Sequence, residues 1–338
     1  MDTATLGEWS RFVVSGAIAA FIIAWLAFCA ETAYRLRQHG RAASRSELAG
    51  VGVSGARPMS RERGPAGADA DVGDGSSSGG ADRIVDRADQ ADRMAGIGYS
   101  VTVLATLLLG AGVVLRAVSV SRPPWGNMYE FSITAALVAS IAFLALARTR
   151  AGRALAVWVV LVVFVALCLA ATVLYVPPGP LVPALRSYWL VVHVGAAVLA
   201  FGLFTVAAVV SALQIVAERA EVRGLAGGFA RSLPASSTLD RLSYRLIAIA
   251  FPVWTVGPLI LGAIWAEASW GRYWGWDPKE VWALITWLAY AAFLHARATA
   301  GWKGSKASVV SLIAYGTVLF SYFGVNIVFN GLHSYGGL

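Results

Sequence analysis

The stretch Trp265-Ala-Glu-Ala-Ser-Trp270-Gly-Arg-Tyr-Trp274-Gly-Trp276-Asp277-Pro278-Lys279-Glu280-Val-Trp282 gathers five of the chain's thirteen tryptophans into eighteen residues. Charged side chains and two glycines are interleaved with the indoles, and long apolar runs flank the stretch on both sides. Such a segment is badly suited to a lipid-facing helix. It suits a shelf at the membrane surface that holds a large, flat, aromatic ligand. Tryptophan does collect at membrane interfaces, because its ring is apolar while its N–H needs a partner. Anchoring accounts for one or two of these indoles. Five of them, with an aspartate directly after the last closely spaced pair, exceed what anchoring requires.

Working outward, the flanking runs decide the fold class. The chain has 338 residues, 58% hydrophobic and 14% charged, with a mean hydropathy of +0.66. These values exclude an ordinary soluble protein and point to a multi-span membrane protein. A span needs about 20 mostly apolar residues to cross the hydrocarbon core. Eight runs qualify, near 10–30, 97–118, 128–147, 154–176, 188–216, 244–266, 280–297 and 307–329. Within lipid each segment must satisfy its own backbone, so these runs are predicted to be helices.

The basic residues set the orientation. With the N-terminus outside, the connections 31–95, 148–153, 217–245 and 297–306 face inward and hold 21 of the 27 Lys and Arg. The expectation is an all-α polytopic protein of about eight helices, N-out and C-out, with the tryptophan shelf between helices 6 and 7 on the outer side. The net charge of +8 is then a topology signal, and no nucleic-acid partner is expected. Few basic residues precede the first span and Arg35, Arg37 and Arg41 follow it. That is the reverse of a secretory signal, so residues 1–35 are expected to form an uncleaved helix. Cys29 and Cys168 lie in separate spans without a C-x-x-C pattern and read as small apolar side chains.

Residues 36–96, rich in Gly, Ala, Ser, Asp and Arg, are expected to be a disordered cytoplasmic linker, because they bury too little apolar surface to offset the entropy of ordering. Residues 97–338 then form a seven-helix domain carrying the tryptophan motif over 265–282. Arg122-Pro-Pro-Trp-Gly-Asn127-Met-Tyr-Glu130 stops one helix and starts the next, with Asn127 and Glu130 suited to the helix N-terminus. Pro252, Gly257 and Pro258 should bend the sixth span.

Of four histidines, three lie in or beside spans, where ionisable groups are costly and commonly functional. His193 enters the fifth span from the outer side and His333 follows the eighth. Both therefore sit at the height of the shelf. From Asp277 to His295 is eighteen residues, about 27 Å of helix, so His295 belongs near the inner surface. Two neutral imidazoles can hold a porphyrin iron axially while indoles cover the macrocycle. Zinc would need a further Cys, His or carboxylate, with only Asp277 or Glu280 at hand and the tryptophans unexplained.

Trp270-Gly-Arg-Tyr-Trp274-Gly-Trp276-Asp277 matches W-G-x-x-W-x-W-D, the WWD motif of haem-handling membrane proteins of cytochrome c maturation. With Asp277-Pro-Lys-Glu-Val-Trp-Ala-Leu-Ile-Thr-Trp287, Leu294-His295-Ala-Arg297, Gly331-Leu-His333-Ser-Tyr-Gly336, the Trp-Gly-Asn-Met-Tyr-Glu loop and Trp-Leu-Val-Val-His193, the region 97–338 resembles the CcsA/ResC family of system II. The resemblance implies a bacterial plasma-membrane synthase of the haem-lyase type. It would join haem b to the C-x-x-C-H thiols of an apocytochrome c on the extracytoplasmic side, together with a ResB-type partner subunit and a thioredoxin-like reductant pathway.

His193 and His333 would be the axial ligands at the outer site, and His295 would serve a transient intramembrane haem site. The catalytic set is then His193, His333 and Asp277, with Asp277 holding a ring N–H or an indole rather than acting as a base. Trp265, Trp270, Trp274, Trp276 and Trp282 would bind the porphyrin, and Arg272 and Lys279 would face its propionates. A haem exporter without ligase activity, and a bis-histidine electron-transfer cytochrome, remain alternatives at this point.

Overall fold

Apolar runs at helical period have one solution inside lipid, and the computed structural model of the chain is helical throughout its regular elements. It describes residues 2–53, 78–179, 186–224, 229–329 and 331–333. In chain order the helices are α1 (Thr3–Val53), α2 (Ser78–Val120), α3 (Met128–Leu146), the single turn α4 (Arg150–Arg153), α5 (Ala156–Thr172), α6 (Tyr188–Val222), α7 (Ser236–Trp254), α8 (Gly262–Trp270), α9 (Pro278–Thr299), α10 (Ser305–Leu319) and α11 (Val325–Val328). A π-helical turn, Thr255–Leu261, joins α7 to α8, and another, Phe320–Gly324, joins α10 to α11.

Among the described residues, seven helical stretches are long and apolar enough to cross a membrane: 3–37, 89–120, 128–146, 188–222, 236–270, 278–299 and 305–328. An eighth apolar helix, α5, lies where the fourth span is predicted but is only 17 residues long.

The linker expectation needs correcting. Helix α1 continues through 36–53 and α2 begins at Ser78, so helix occupies much of 36–96; residues 54–77 lie outside the described residues. Ala and Arg are strong helix formers. A stretch appended to an existing span also needs no costly nucleus, only propagation. The two helices pack side by side, and Arg35 of α1 pairs with Asp92 of α2 at 2.9 Å.

Helix α6 is the hub, packing on α3, α7 and α10. Small residues permit the close approach that holds helices together in lipid. A side chain at Gly202 would strike Val138 of α3, and one at Gly257 would strike Ala196 of α6. Ser211 of α6 bonds Ser243 of α7 at 2.6 Å and Ser311 of α10 at 3.1 Å. Phe204 of α6 stacks on Tyr290 of α9, with ring centroids 3.9 Å apart.

Ion pairs tie both ends of the bundle. At one end Asp240 of α7 holds the Arg297 fork at 2.7 and 2.9 Å, and Glu218 of α6 accepts from the Ser305 amide and hydroxyl at 2.6 and 2.9 Å. At the other, fully buried Glu130 of α3 bonds Arg116 at 2.9 Å and Arg122 at 2.6 Å. Arg116 also donates to the Val176 carbonyl at 2.7 Å. The N-terminus joins this second end, where the Arg11 guanidinium lies 4.8 Å over the Tyr175 ring. The tryptophan stretch lies at this end as well.

Candidate functional site

The stretch 265–282 is built around one carboxylate. Gly271, in left-handed backbone at φ 71°, ends α8 and donates to the Glu267 carbonyl at 2.7 Å. Six residues later Asp277 opens α9 with Pro278 in the first helical position, where a missing N–H costs nothing. Asp277 Oδ1 accepts from the Lys279 amide at 3.0 Å, while Glu280 Oε2 reaches back to the amides of Gly275 (2.8 Å) and Asp277 (3.1 Å). This reciprocal capping box rigidifies the shelf.

The same carboxylate clasps the C-terminal tail. Its Oδ2 accepts from the Leu332 amide and its Oδ1 from His333 Nδ1, both at 2.7 Å. A side chain at Gly331 would collide with Asp277, so glycine is required for that approach. Burial alone would raise the Asp277 carboxyl. The His333 hydrogen bond, with those from the Lys279 and Leu332 amides, holds it below its ordinary 3.8.

His193, in the second turn of α6, has Nδ1 3.1 Å from the Gly257 carbonyl. A carbonyl only accepts, so Nδ1 carries the proton and Nε2 keeps a lone pair. His333 reaches the same tautomer through ionised Asp277. No hydrogen bond to Nε2 of either ring occurs among the described residues. The Gly257 carbonyl lies in the π-helical turn, which Pro258 favours because it lacks the N–H of a regular ladder. Gly262 supplies the clearance: a Cβ there would lie 2.9 Å from His193 Cε1.

Trp265 contacts both histidines. It is 1% exposed, parallel to His193 at 5.7 Å between centroids and tilted against His333 at 5.3 Å. Trp270 packs edge-on to His333 at 4.9 Å. Both imidazoles, Trp265, Trp274, Lys279 and Glu280 line a single largely apolar chamber. Across it lie Trp125, Phe131 and Tyr322, with Tyr322 fixed by its hydroxyl donating to the Met128 carbonyl at 2.7 Å.

The structure does not bring every expected residue here. Trp276 is 71% exposed and meets Trp274 edge-on at 5.8 Å. Trp282 packs on Phe320 at 4.1 Å and does not line the chamber, and the Arg272 guanidinium folds onto Gly275 instead. His295 is exposed on α9, near the Asp240–Arg297 pair at the far end. Trp125 was visible in the sequence as part of a loop at the right height. Phe131 and Tyr322 carried no signal, because only the packing of α3 on the π-helical turn Phe320–Gly324 aims them inward.

The family described as "Cytochrome C assembly protein" matches residues 125–333 of this sequence. The "Cytochrome c biogenesis protein CcsA" of Gloeobacter violaceus is 35% identical over 296 residues, covering 72% of this chain and 87% of that protein. The protein of the same name from Parasynechococcus marenigrum is also 35% identical, covering 71% and 87%. That of Chlamydomonas reinhardtii is 41% identical over 158 residues, covering 47% of this chain and 43% of its own length.

The chain belongs to the cytochrome c assembly protein family.

The resemblance to the CcsA/ResC family therefore holds, and the chain is a polytopic membrane protein with a role in cytochrome c maturation, which entails handling haem. The matched segment begins at Trp125 and ends at His333, two residues of the chamber wall. Haem fits the donors present: two imidazoles of matching tautomer, aromatic walls, and the Lys279 cation. Among the described residues no group of three or more His, Cys, Asp or Glu could hold a bare metal ion.

Proposed function

We propose that this chain holds haem b between His193 and His333 and presents it for thioether attachment to the C-x-x-C-H thiols of an apocytochrome c. One observation carries the reading: both imidazoles face one aromatic chamber with Nδ1 engaged and, among the described residues, no hydrogen bond to Nε2. Second hydrogen bonds of this kind fix ring orientation and raise ligand basicity. Gly257 performs that task for His193 and Asp277 for His333. Asp277 is thus a positioning residue, and no general base is assigned.

The chemistry asks little more of the chain. Each thiol adds S–H across a haem vinyl: sulfur bonds the carbon next to the ring and hydrogen goes to the terminal carbon, with no net oxidation. The contribution of the chain is proximity. Axial ligation holds the macrocycle still until the acceptor histidine displaces one imidazole. His333 is the better candidate for displacement, since it sits on a tail that donates two hydrogen bonds to one carboxylate, from the Leu332 amide and from its own Nδ1, whereas His193 is built into α6.

The distribution of Lys and Arg supports an N-out, C-out arrangement of eight spans with the chamber on the extracytoplasmic side of a bacterial plasma membrane. Exposed His295, with no ring hydrogen bond among the described residues, supports a ResB-type partner subunit supplying its mate at an intramembrane haem site. A thioredoxin-like pathway would keep the acceptor thiols reduced.

The test is co-expression with that partner and a C-x-x-C-H acceptor, scoring covalent haem, alongside absorption spectra of the purified chain. Six-coordinate haem is expected in the wild type and a five-coordinate spectrum in His193→Ala or His333→Ala. Unchanged spectra and holocytochrome yield in the double variant would refute the ligand assignment.

A further inference from the structure

Three rings of the chamber stand closer together than a ligated haem allows. The Trp265 ring centroid is 5.7 Å from that of His193 and 5.3 Å from that of His333. A metal–imidazole bond of about 2 Å puts an axial ring centroid about 3 Å from the metal, so two axial imidazoles stand about 6 Å apart across a porphyrin. A ring at the two observed distances from such a pair would lie almost in the plane of the macrocycle and roughly 4.5 Å from the iron, where pyrrole atoms already are. Both imidazoles therefore cannot ligate one iron while Trp265 keeps this place.

Of the three rings, the indole is the one least secured by polar contacts. His193 Nδ1 is held at the Gly257 carbonyl and His333 Nδ1 at Asp277, and these bonds give both imidazoles the tautomer that ligation needs. Trp265 packs on Leu190, Val194 and Trp270, and its buried Nε1 has no partner among the described residues. A buried N–H left unpaired is costly. The chamber wall meanwhile carries Glu280 and Asn326, whose buried Oε1 and Oδ1 are acceptors that likewise lack a partner among the described residues. Helix α8, which carries the indole, is nine residues long and runs between the π-helical turn and left-handed Gly271. Each end can absorb a change of backbone angle.

We propose that Trp265 is the gate of the chamber: in this arrangement it takes the place of the porphyrin, and it withdraws when His193 and His333 ligate haem. The proposal rests on the reading that haem occupies the chamber. Only chains with the indole withdrawn accept haem on both imidazoles, so apparent affinity falls in proportion to that fraction. Removing an indole that stacks on the porphyrin weakens haem binding, whereas removing this one should strengthen it.

Haem is mixed by stopped flow with the full chain in detergent over a range of haem concentrations, and the rise of six-coordinate absorption is timed. In wild type the rate is expected to level off at the rate of withdrawal. In Trp265→Ala it should keep rising in proportion to haem, and affinity should tighten roughly tenfold or more, the factor for a competent state populated at about 10% or less. Trp265→Phe keeps an aromatic ring in the apolar packing and preserves the test if Trp265→Ala fails to fold; its plateau should lie above that of wild type. A wild-type rate that stays proportional to haem overturns the proposal. So does a plateau that Trp265→Phe leaves unchanged, or a loss of affinity in folded Trp265→Ala like that expected of Trp274→Leu. In each of these cases a six-coordinate wild-type spectrum leaves the haem reading standing. Failure of wild type to give that spectrum refutes the haem reading and the gate together.

Discussion

Replacing Asp277 by Asn separates what the carboxylate does for the fold from what it does for His333. Asn is as good a helix N-cap as Asp, so the start of α9 should survive. The tail should not remain clasped. Asp277 accepts from His333 Nδ1 and the Leu332 amide at 2.7 Å each, on top of the Lys279 amide at 3.0 Å. An amide side chain has one oxygen, so its NH₂ must face either Leu332 N–H or His333 Nδ1–H, donor against donor. One charge-assisted bond is lost and the others become neutral. That is worth about 2–3 kcal/mol, or roughly a 30- to 150-fold change in the population of clasped tail.

The assay is haem titration followed by absorption, with the six-coordinate fraction as readout. Asp277→Asn is expected to lower affinity within about 10- to 100-fold, the range for a group that orients a ligand, with a modest fall in the unfolding midpoint. Asp277→Ala should also lose the cap, about 1 kcal/mol. The reasoning requires Asp277 to act through His333, so Asp277→Asn should have no further effect in a His333→Ala background. Additive losses in that cycle would refute it.

Four other outcomes follow from the geometry. Gly262→Ala would press a methyl to 2.9 Å from His193 Cε1, an overpacking cost of about 1–3 kcal/mol; spectra should show loss of one axial imidazole while His333 stays bound. Glu130→Gln leaves the buried Arg116 and half-buried Arg122 guanidiniums against one neutral amide and should destabilise by about 3–5 kcal/mol, read as a lowered unfolding midpoint in detergent. Trp282→Leu should cost stability but not haem affinity, because that indole packs on Phe320, whereas Trp274→Leu, in the chamber wall, should lower affinity. The Asp277 carboxyl is depressed in the folded chain, so its contribution to stability is full above its ordinary 3.8 and is lost as pH falls through the lower folded value. The difference in unfolding midpoint between wild type and Asp277→Asn should therefore hold from neutrality to about pH 5 and close only in stronger acid.

The features legible in the sequence were those that depend on local chemistry. Apolar runs forecast the helices, Pro252 and Pro258 the bend ahead of the shelf, and Asn127 and Glu130 the start of α3. The Asn127 side chain indeed accepts from the Glu130 amide at 2.9 Å. Density of indole marked the stretch 265–282 but could not sort its members. Trp265, which contacts both histidines, and Trp282, which packs on Phe320, look alike in sequence because only the relative rotation of α8, α9 and the π-helical turn after α10 tells them apart. The second π-helical turn, at Phe320–Gly324, had no proline to announce it.

By itself, then, the sequence determined that the chain crosses a membrane, where its spans run, and that three histidines and a cluster of tryptophans lie at their ends. Desolvation of the backbone and the period of the apolar pattern leave no other choice. Tertiary structure alone decided that Asp277, fifty-six residues before His333, caps one helix and clasps the tail in the same act. It alone placed the Gly257 carbonyl against His193, sixty-four residues away. Each imidazole thereby presents Nε2 to a shared chamber. A hydrogen bond across that distance depends on how helices pack and where a π-helical turn frees a carbonyl, and neither is written in the spacing of the residues it joins.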